Sequence, residues 1–212
     1  MADNYLGKKM EEYFSRPREA RVRPAMNLCR LLRHNRSHRN YDASFVVRND
    51  QLHSIIEVNT LIGSALNRQA LRFRPVLADE AAKVLPHIRL GAALPDEHLP
   101  HEGCEPNAFI VVCSTVEEDR YIDIDLGISA QSMLLRATEL GLNGICIASF
   151  DGDALTRALA LPYKLLLVIA IGRGADKIEL VEIPATADHH YYRKNNTHYV
   201  PKVRVEDLII GE

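Results

Sequence analysis

Arg36, Ser37 and Arg39, inside the tetrad Arg-Ser-His-Arg at 36–39, put two guanidinium forks and a hydroxyl within four positions. Those are the donors a phosphate monoester dianion takes, because a guanidinium offers paired N–H groups and keeps its charge. The cations just upstream have a plainer reading. Arg30, Arg33 and His34 fall at the C-terminal end of a helix expected over 25–33, where positive charge offsets the helix dipole. A nucleic-acid surface is the competing reading of the cluster, but it needs a stripe of phosphate contacts with aromatic platforms. The chain carries 26 Lys and Arg against 28 Asp and Glu, a formal net charge of -2, so it has no overall pull toward a polyanion.

Other constellations are weaker. His98, His101 and Cys104 have spacings a metal could use, with Glu102 and Glu105 near, yet no fourth ligand is evident and Pro100 and Gly103 suit a plain loop. No metal is expected. Asp123 and Asp125 share a side of an extended segment as a possible carboxylate pair, although Asp125 reads better as the cap of a following helix. Gly-Arg-Gly-Ala-Asp-Lys at 172–177 follows a strand but lacks a third glycine and runs into another strand, so it reads as a turn and not a dinucleotide loop. No Ser/His/Asp or Cys/His spacing argues for a nucleophile. Chemistry without these parts points to a bound cofactor as its carrier.

The elements that must position these residues follow from hydrophobic periodicity. The 212 residues, 47% of them hydrophobic, are enough to bury one core, and no repeat or linker divides them. A single domain over 1–212 is expected, with a core at about 25–184 and an extension from about 185. Helices are expected over 2–14, over 25–33 behind Pro24, and over 51–66, the last capped by Asp50. Further along, 107–114 reads as a buried strand, 125–141 as a helix stopped by Gly141, 142–149 as a strand, and 152–160 as a helix capped by Asp151. The runs 164–172 and 178–183 are strands. A short helix at about 79–85 and a Pro/Gly/His loop over 86–106 lie between. Alternating strands and helices indicate α/β or α+β. Residues 185–212 are polar with apolar residues at the end, a tail that orders only by docking. Four cysteines in no regular pattern, with Cys113 and Cys146 in apolar runs, read as reduced thiols, two of them buried. The charged N-terminus and the lack of a run near ~20 apolar residues imply a cytoplasmic protein and no membrane span.

Taken in order, five segments resemble the FMN-dependent nitroreductase family. Arg-Ser-His-Arg-Asn-Tyr (36–41) is similar to its RSxRxF/Y motif, and Ser-Ala-Leu-Asn-Arg-Gln (64–69) to its SxxNxQ segment. Residues 125–151 resemble its DxGxAxQ helix and the strand ending in Phe-Asp. Residues 168–174 resemble its last core strand, and Lys202-Val-Arg204 its C-terminal KxR. The resemblance spans about 30–204. It implies an α+β fold with a central mixed β-sheet flanked by helices, a homodimer with FMN at the subunit interface, and a C-terminal extension lying on the partner subunit. Carried across, Arg36, Ser37 and Arg39 contact the FMN phosphate, ribityl chain and flavin O2 edge. Lys202 and Arg204 complete the phosphate site, and Asn35, where many members carry a basic residue, belongs to the same set. Asn67 and Gln69 hold the ring and ribityl region, and the backbone at Ala148 and Ser149 offers an N–H to flavin N5.

The implied activity is hydride transfer from NAD(P)H through the flavin to a nitroaromatic, quinone or related small-molecule acceptor. Ala70 and Leu71 stand where Pro-Trp is common in the family, and Cys146 where a Pro is frequent, which bears on the substrate. A flavin-binding protein for storage or sensing is the alternative, and a phosphate-ligand module remains if the resemblance is set aside.

Overall fold

A computed structural model describes residues 27–91, 94 and 97–211. The helix expected over 2–14 and the entry at Pro24 lie outside them. Strand β1 (Leu71–Val76) pairs antiparallel with β2 (Ala108–Ser114), β2 with β4 (Lys164–Gly172), and β4 with β3 (Asn143–Ile147), giving the order β1-β2-β4-β3. Every residue of β2 is buried, as expected of an apolar run between two neighbours in a sheet covered on both faces. Alternation along the strand then divides the core. Phe109, Val111 and Cys113 pack on one side with Val168, Ala170 and Leu155, while Ala108, Ile110 and Val112 pack on the other with Ile169, Leu52 and Met133.

Among the described residues, four α-helices flank this sheet: α1 (Leu28–His34), α2 (Asn49–Glu57), α3 (Arg120–Glu139) and α4 (Gly152–Leu159). Asn27 caps α1 by accepting from the Arg30 N–H, and Asp151 caps α4 by accepting from the Ala154 N–H. Gly141, at φ 78°, turns the chain after α3, where a left-handed backbone favours glycine. The long helix begins earlier than its pattern suggests: Asp119 caps it, accepting from the Tyr121 and Ile122 N–H groups, so Asp125 is an interior residue and not a cap. The helix expected over 51–66 is shorter. Arg48, not Asp50, is its N-cap, and after Glu57 it tightens into one 3-10 turn at Val58–Thr60. The 79–85 stretch is two 3-10 turns, Ala81–Lys83 and Leu85–His87.

The tail orders on its own chain. Strand β5 (Lys177–Ile183) pairs parallel with β7 (Thr197–Val203), and β6 (Tyr192–Lys194) pairs antiparallel with β7. All parallel pairing of named strands among the described residues is in this small sheet, because the four-stranded sheet is antiparallel throughout. Four exposed side chains, Val205, Leu208, Ile209 and Ile210, follow β7. No described helix is long and apolar enough to cross a membrane.

Candidate functional site

Residues 35–41 run from the end of α1 across the edge of the sheet, and their backbone is held by a residue far downstream. Asp176 accepts from the Arg39 N–H (2.6 Å), the Asn40 N–H (3.0 Å), the Asn40 amide (2.8 Å) and the Arg193 guanidinium (2.6 Å). Burial pushes the Asp176 carboxyl up, but those four donors outweigh it and hold it at about 2. Glycines close the other side. A Cβ on Gly174 would sit 2.3 Å from the His38 ring and one on Gly172 would sit 2.6 Å from Tyr41 Cδ1, so both rings lie directly against backbone. The Gly-Arg-Gly stretch is thus a packing surface leading into β5.

This framework sorts the side chains of the segment. Arg39 is buried, and its guanidinium turns toward the C-terminal sheet. It lies 4.7 Å over the Tyr191 ring, with Nη1 3.3 Å from His198 Nε2. Burial, then the Arg39 and Arg193 charges, lowers the His198 imidazole to about 4. Arg39 thus links the 35–41 segment to the C-terminal sheet, and its Nε is buried without a hydrogen-bond partner among the described residues. Asn35 is the buried C-cap residue of α1, and its carbonyl accepts from Arg36 Nε. Arg36 also donates to the Leu32 carbonyl at 2.7 Å, so it shares the helix-end role of Arg33 and His34. Ser37 is exposed and bridges Gly144 of β3.

Ala148 and Ser149, also exposed, lie just past the end of β3. Four residues of extended chain separate Gly144 from Ala148, or about 13 Å. The Ser149 carbonyl accepts from the Arg89 N–H and the Asp151 N–H donates to the His87 carbonyl, which fixes the turn toward α4. Cys146 is exposed rather than buried, whereas Cys113 is buried as expected. All four cysteines are free thiols.

Asn67 and Gln69 are exposed on a segment of unusual backbone: Leu66, Asn67 and Gln69 have φ of 53°, 54° and 47°. Gln69 Nε2 donates to Asn67 Oδ1 at 3.0 Å, and the Gln69 N–H donates to Ser64 Oγ. From α3, Asp125 Oδ1 accepts from the Ala65 N–H at 2.8 Å.

Lys202 and Arg204 lie farther along the chain from the contact between His198 and Arg39. His198 touches Arg39, and six residues of extended chain carry Arg204 about 20 Å farther along. Arg204 is paired there with Asp207 at 2.9 Å. His98, His101 and Cys104 have spacings a metal could use, although no metal was expected there. No group of three or more His, Cys, Asp or Glu gathers at metal-binding distance among the described residues, and Cys104 instead accepts through its carbonyl from the Tyr41 N–H.

The nitroreductase family model matches residues 32–173, which is 142 of the 212 residues and includes the segments at 35–41, 64–69 and 148–149. The chain belongs to the nitroreductase family. Solved structures agree on the nitroreductase fold. A Desulfovibrio desulfuricans protein assigned as a nitroreductase, in complex with FMN, aligns at TM-score 0.65 and 22% identity, covering 88% of this chain and 98% of that one. An FMN-dependent nitroreductase of Clostridium difficile aligns at TM-score 0.55 and 22% identity over 69% and 87%. A Staphylococcus epidermidis protein assigned as an NAD(P)H:FMN oxidoreductase aligns at 0.58 and 16% over 71% and 89%. No curated protein matches the chain. Within this nitroreductase chain, sequence reasoning missed Asp176 and the role of Asp125. Both are single carboxylates far from the backbone groups they hold, and no local spacing marks such a partner.

Proposed function

We propose that the protein is an FMN-dependent oxidoreductase of the cytoplasm that takes hydride from NAD(P)H and delivers electrons to a small-molecule acceptor, in the nitroaromatic or quinone class. The observation that carries this reading is the placement of Ser37 beside β3 and of exposed Ala148 and Ser149 beyond its end, in a chain of the nitroreductase family. The donor chemistry fits a flavin mononucleotide: a hydroxyl and the Arg36 guanidinium at one end, and exposed backbone at the other, with an extended strand between them. When bound, FMN supplies a reversible hydride acceptor that no side chain offers.

The chain's own residues then divide the work. Ser37 and Arg36 bind the phosphate and ribityl end, and a backbone N–H at Ala148 or Ser149 donates to the ring. Arg39 positions rather than contacts, since it holds the 35–41 segment against β7. Asn67, Gln69, Lys202 and Arg204 serve the cofactor across a homodimer: the first pair is exposed on its own loop, and the second lies about 13 and 20 Å along the chain from His198, the contact of Arg39. The exposed Val205, Leu208, Ile209 and Ile210 are the surface by which the C-terminal extension lies on the partner subunit.

Purified protein is expected to be yellow, and NADH or NADPH is expected to bleach it under anaerobic conditions. A colourless protein that takes up no added FMN sinks the reading. A yellow protein that neither nicotinamide bleaches favours storage or sensing instead. Gel filtration tests the dimer, which a monomeric holoprotein contradicts.

A further inference from the structure

Residues 87–89 and 149–151 run as a short antiparallel pair, with Ile88 bridged to Phe150. The Arg89 N–H donates to the Ser149 carbonyl at 2.9 Å and the Asp151 N–H to the His87 carbonyl at 2.8 Å, so Arg89 stands opposite Ser149 and His87 opposite Asp151. Ile88 and Phe150 pack against the core. Successive residues of a strand point to opposite faces, so the side chains of His87, Arg89, Ser149 and Asp151 share the outer one. With Pro86 they line an open cleft of about 360 Å³, within the size range of small-ligand sites.

Charge in the cleft is unevenly committed. Asp151 Oδ1 accepts from the Ala154 N–H, and the N-terminus of α4 offsets the carboxylate's charge. Arg89 is exposed, and among the described residues its guanidinium has no acceptor, whereas Arg74 pairs with Glu80 and Arg193 with Asp176. An uncommitted guanidinium presents paired N–H groups that match a carboxylate. Its cross-strand partner is Ser149, the residue whose backbone the flavin reading sets against the ring, and the Cβ atoms of such a pair are about 5 Å apart. The cation therefore stands beside the place of electron transfer. A carboxylate carried on the reacting ring falls within its reach, whereas the phosphates of a nicotinamide nucleotide lie beyond a ribose.

We propose that Arg89 selects the electron acceptor by pairing with a carboxylate on it, so that nitroaromatic or quinone acids are preferred to neutral compounds of the same shape. This rests on the flavin reading and names the substrate class of that site.

The test compares 4-nitrobenzoate with 4-nitrobenzamide, which has a similar shape and no charge. Calorimetric titration of the oxidised, FMN-loaded protein reads binding, and turnover with NADH reads kcat/KM for the same two compounds. The wild type is expected to bind 4-nitrobenzoate the more tightly. Arg89→Gln is expected to lower the ratio of nitrobenzoate to nitrobenzamide about tenfold in both readouts, and Arg89→Lys, which keeps the charge but not the paired N–H groups, to lower it less. The change is expected in KM rather than kcat, as for a contact made equally before and during reduction. A ratio that Arg89→Gln leaves unchanged overturns the proposal, as does tighter binding of 4-nitrobenzamide by the wild type. So does an effect of Arg89→Gln confined to flavin reduction by NADPH and absent with NADH, which assigns the guanidinium to the nucleotide's extra phosphate. In each of these cases a yellow protein that nicotinamide bleaches leaves the flavin reading standing, whereas a colourless protein that takes up no FMN removes both.

Discussion

Residues 35–41 and 64–69 both carry motif side chains, yet the first is buried and clamped from downstream while the second is mostly exposed, held by Asp125, an Arg68–Asp119 ion pair and turn hydrogen bonds around three left-handed residues. In 35–41 the motif is mostly its own scaffold. His38, Arg39, Asn40 and Tyr41 are all buried, and Asp176, Gly172 and Gly174 hold them from downstream. In 64–69 the scaffold lies outside the motif, in Asp125 and in φ values near +50°, and the side chains of Asn67 and Gln69 face outward. A motif is therefore not a contact list: half of one segment builds the shelf on which the other half is displayed.

Asp176→Ala is the largest expected break in that comparison. It leaves the Arg193 guanidinium and two backbone N–H groups without their acceptor in a site where the carboxylate side chain is 3% exposed. Breaking such a buried pair costs about 3 to 5 kcal/mol, and Asp176→Asn, which keeps an acceptor, should cost less. Urea unfolding measures both. Equal, small losses in the two variants contradict the clamp.

The same clamp sets a pH dependence. His198 is held near 4, below its unfolded value of 6.5, so the unfolded chain binds the extra proton first and stability falls as pH drops from about 6.5 to 4. Each pKa unit is worth about 1.4 kcal/mol, which puts the loss on the order of 2 to 3 kcal/mol. Asp176 adds a second, more acidic fall. Its stabilisation is complete above the unfolded carboxylate value and is lost as pH drops toward about 2. The buried His38 is also lowered by desolvation, so thermal unfolding of His198→Gln from pH 7 to 4 should show a smaller first fall, and a curve identical to that of the wild type rules out a contribution from His198.

Gly174→Ala drives a methyl into the His38 ring and should cost about 1 to 3 kcal/mol, part of which His38→Ala restores in the double variant. Gly127→Ala is the control. Gly127 sits on the exposed face of α3 with nothing within 4 Å of the new methyl, so alanine there should stabilise by roughly 0.5 to 1 kcal/mol. Urea midpoints that move the same way in both variants would refute the close approach.

Much of this architecture was legible from periodicity. The buried strands β2, β3 and β4, the Asp151 cap and the Gly141 stop are local signals, and the ordered set of five motif segments pointed to the family that residues 32–173 match. What escaped was non-local or mixed. Strand β1 reads Leu-Arg-Phe-Arg-Pro-Val, with two arginines and a proline that mask it, and it becomes a strand because β2 gives it a partner. The tail has no apolar pattern of its own, and it orders because β5 pairs with β7 in parallel. At the site, the contact of Arg39 with His198, 159 positions away, is one that no local spacing in the sequence marks.

The smallest effect belongs to the loosely held segment. Leu66 is 84% exposed and sits at φ 53°, so it buries almost nothing while occupying a backbone region that costs an L-residue roughly 1 to 2 kcal/mol. Glycine removes that strain but widens the unfolded ensemble, and the two terms oppose each other. Leu66→Gly should therefore be neutral or stabilise by up to about 1 kcal/mol, where an ordinary exposed leucine replaced by glycine loses stability. If Leu66→Gly leaves stability unchanged but lowers FMN affinity, the leucine itself meets the cofactor or the second protomer. If it destabilises by more than about 1 kcal/mol, the left-handed conformation is not what holds 64–69 in place, and the contrast with 35–41 rests on Asp125 and the Arg68–Asp119 pair.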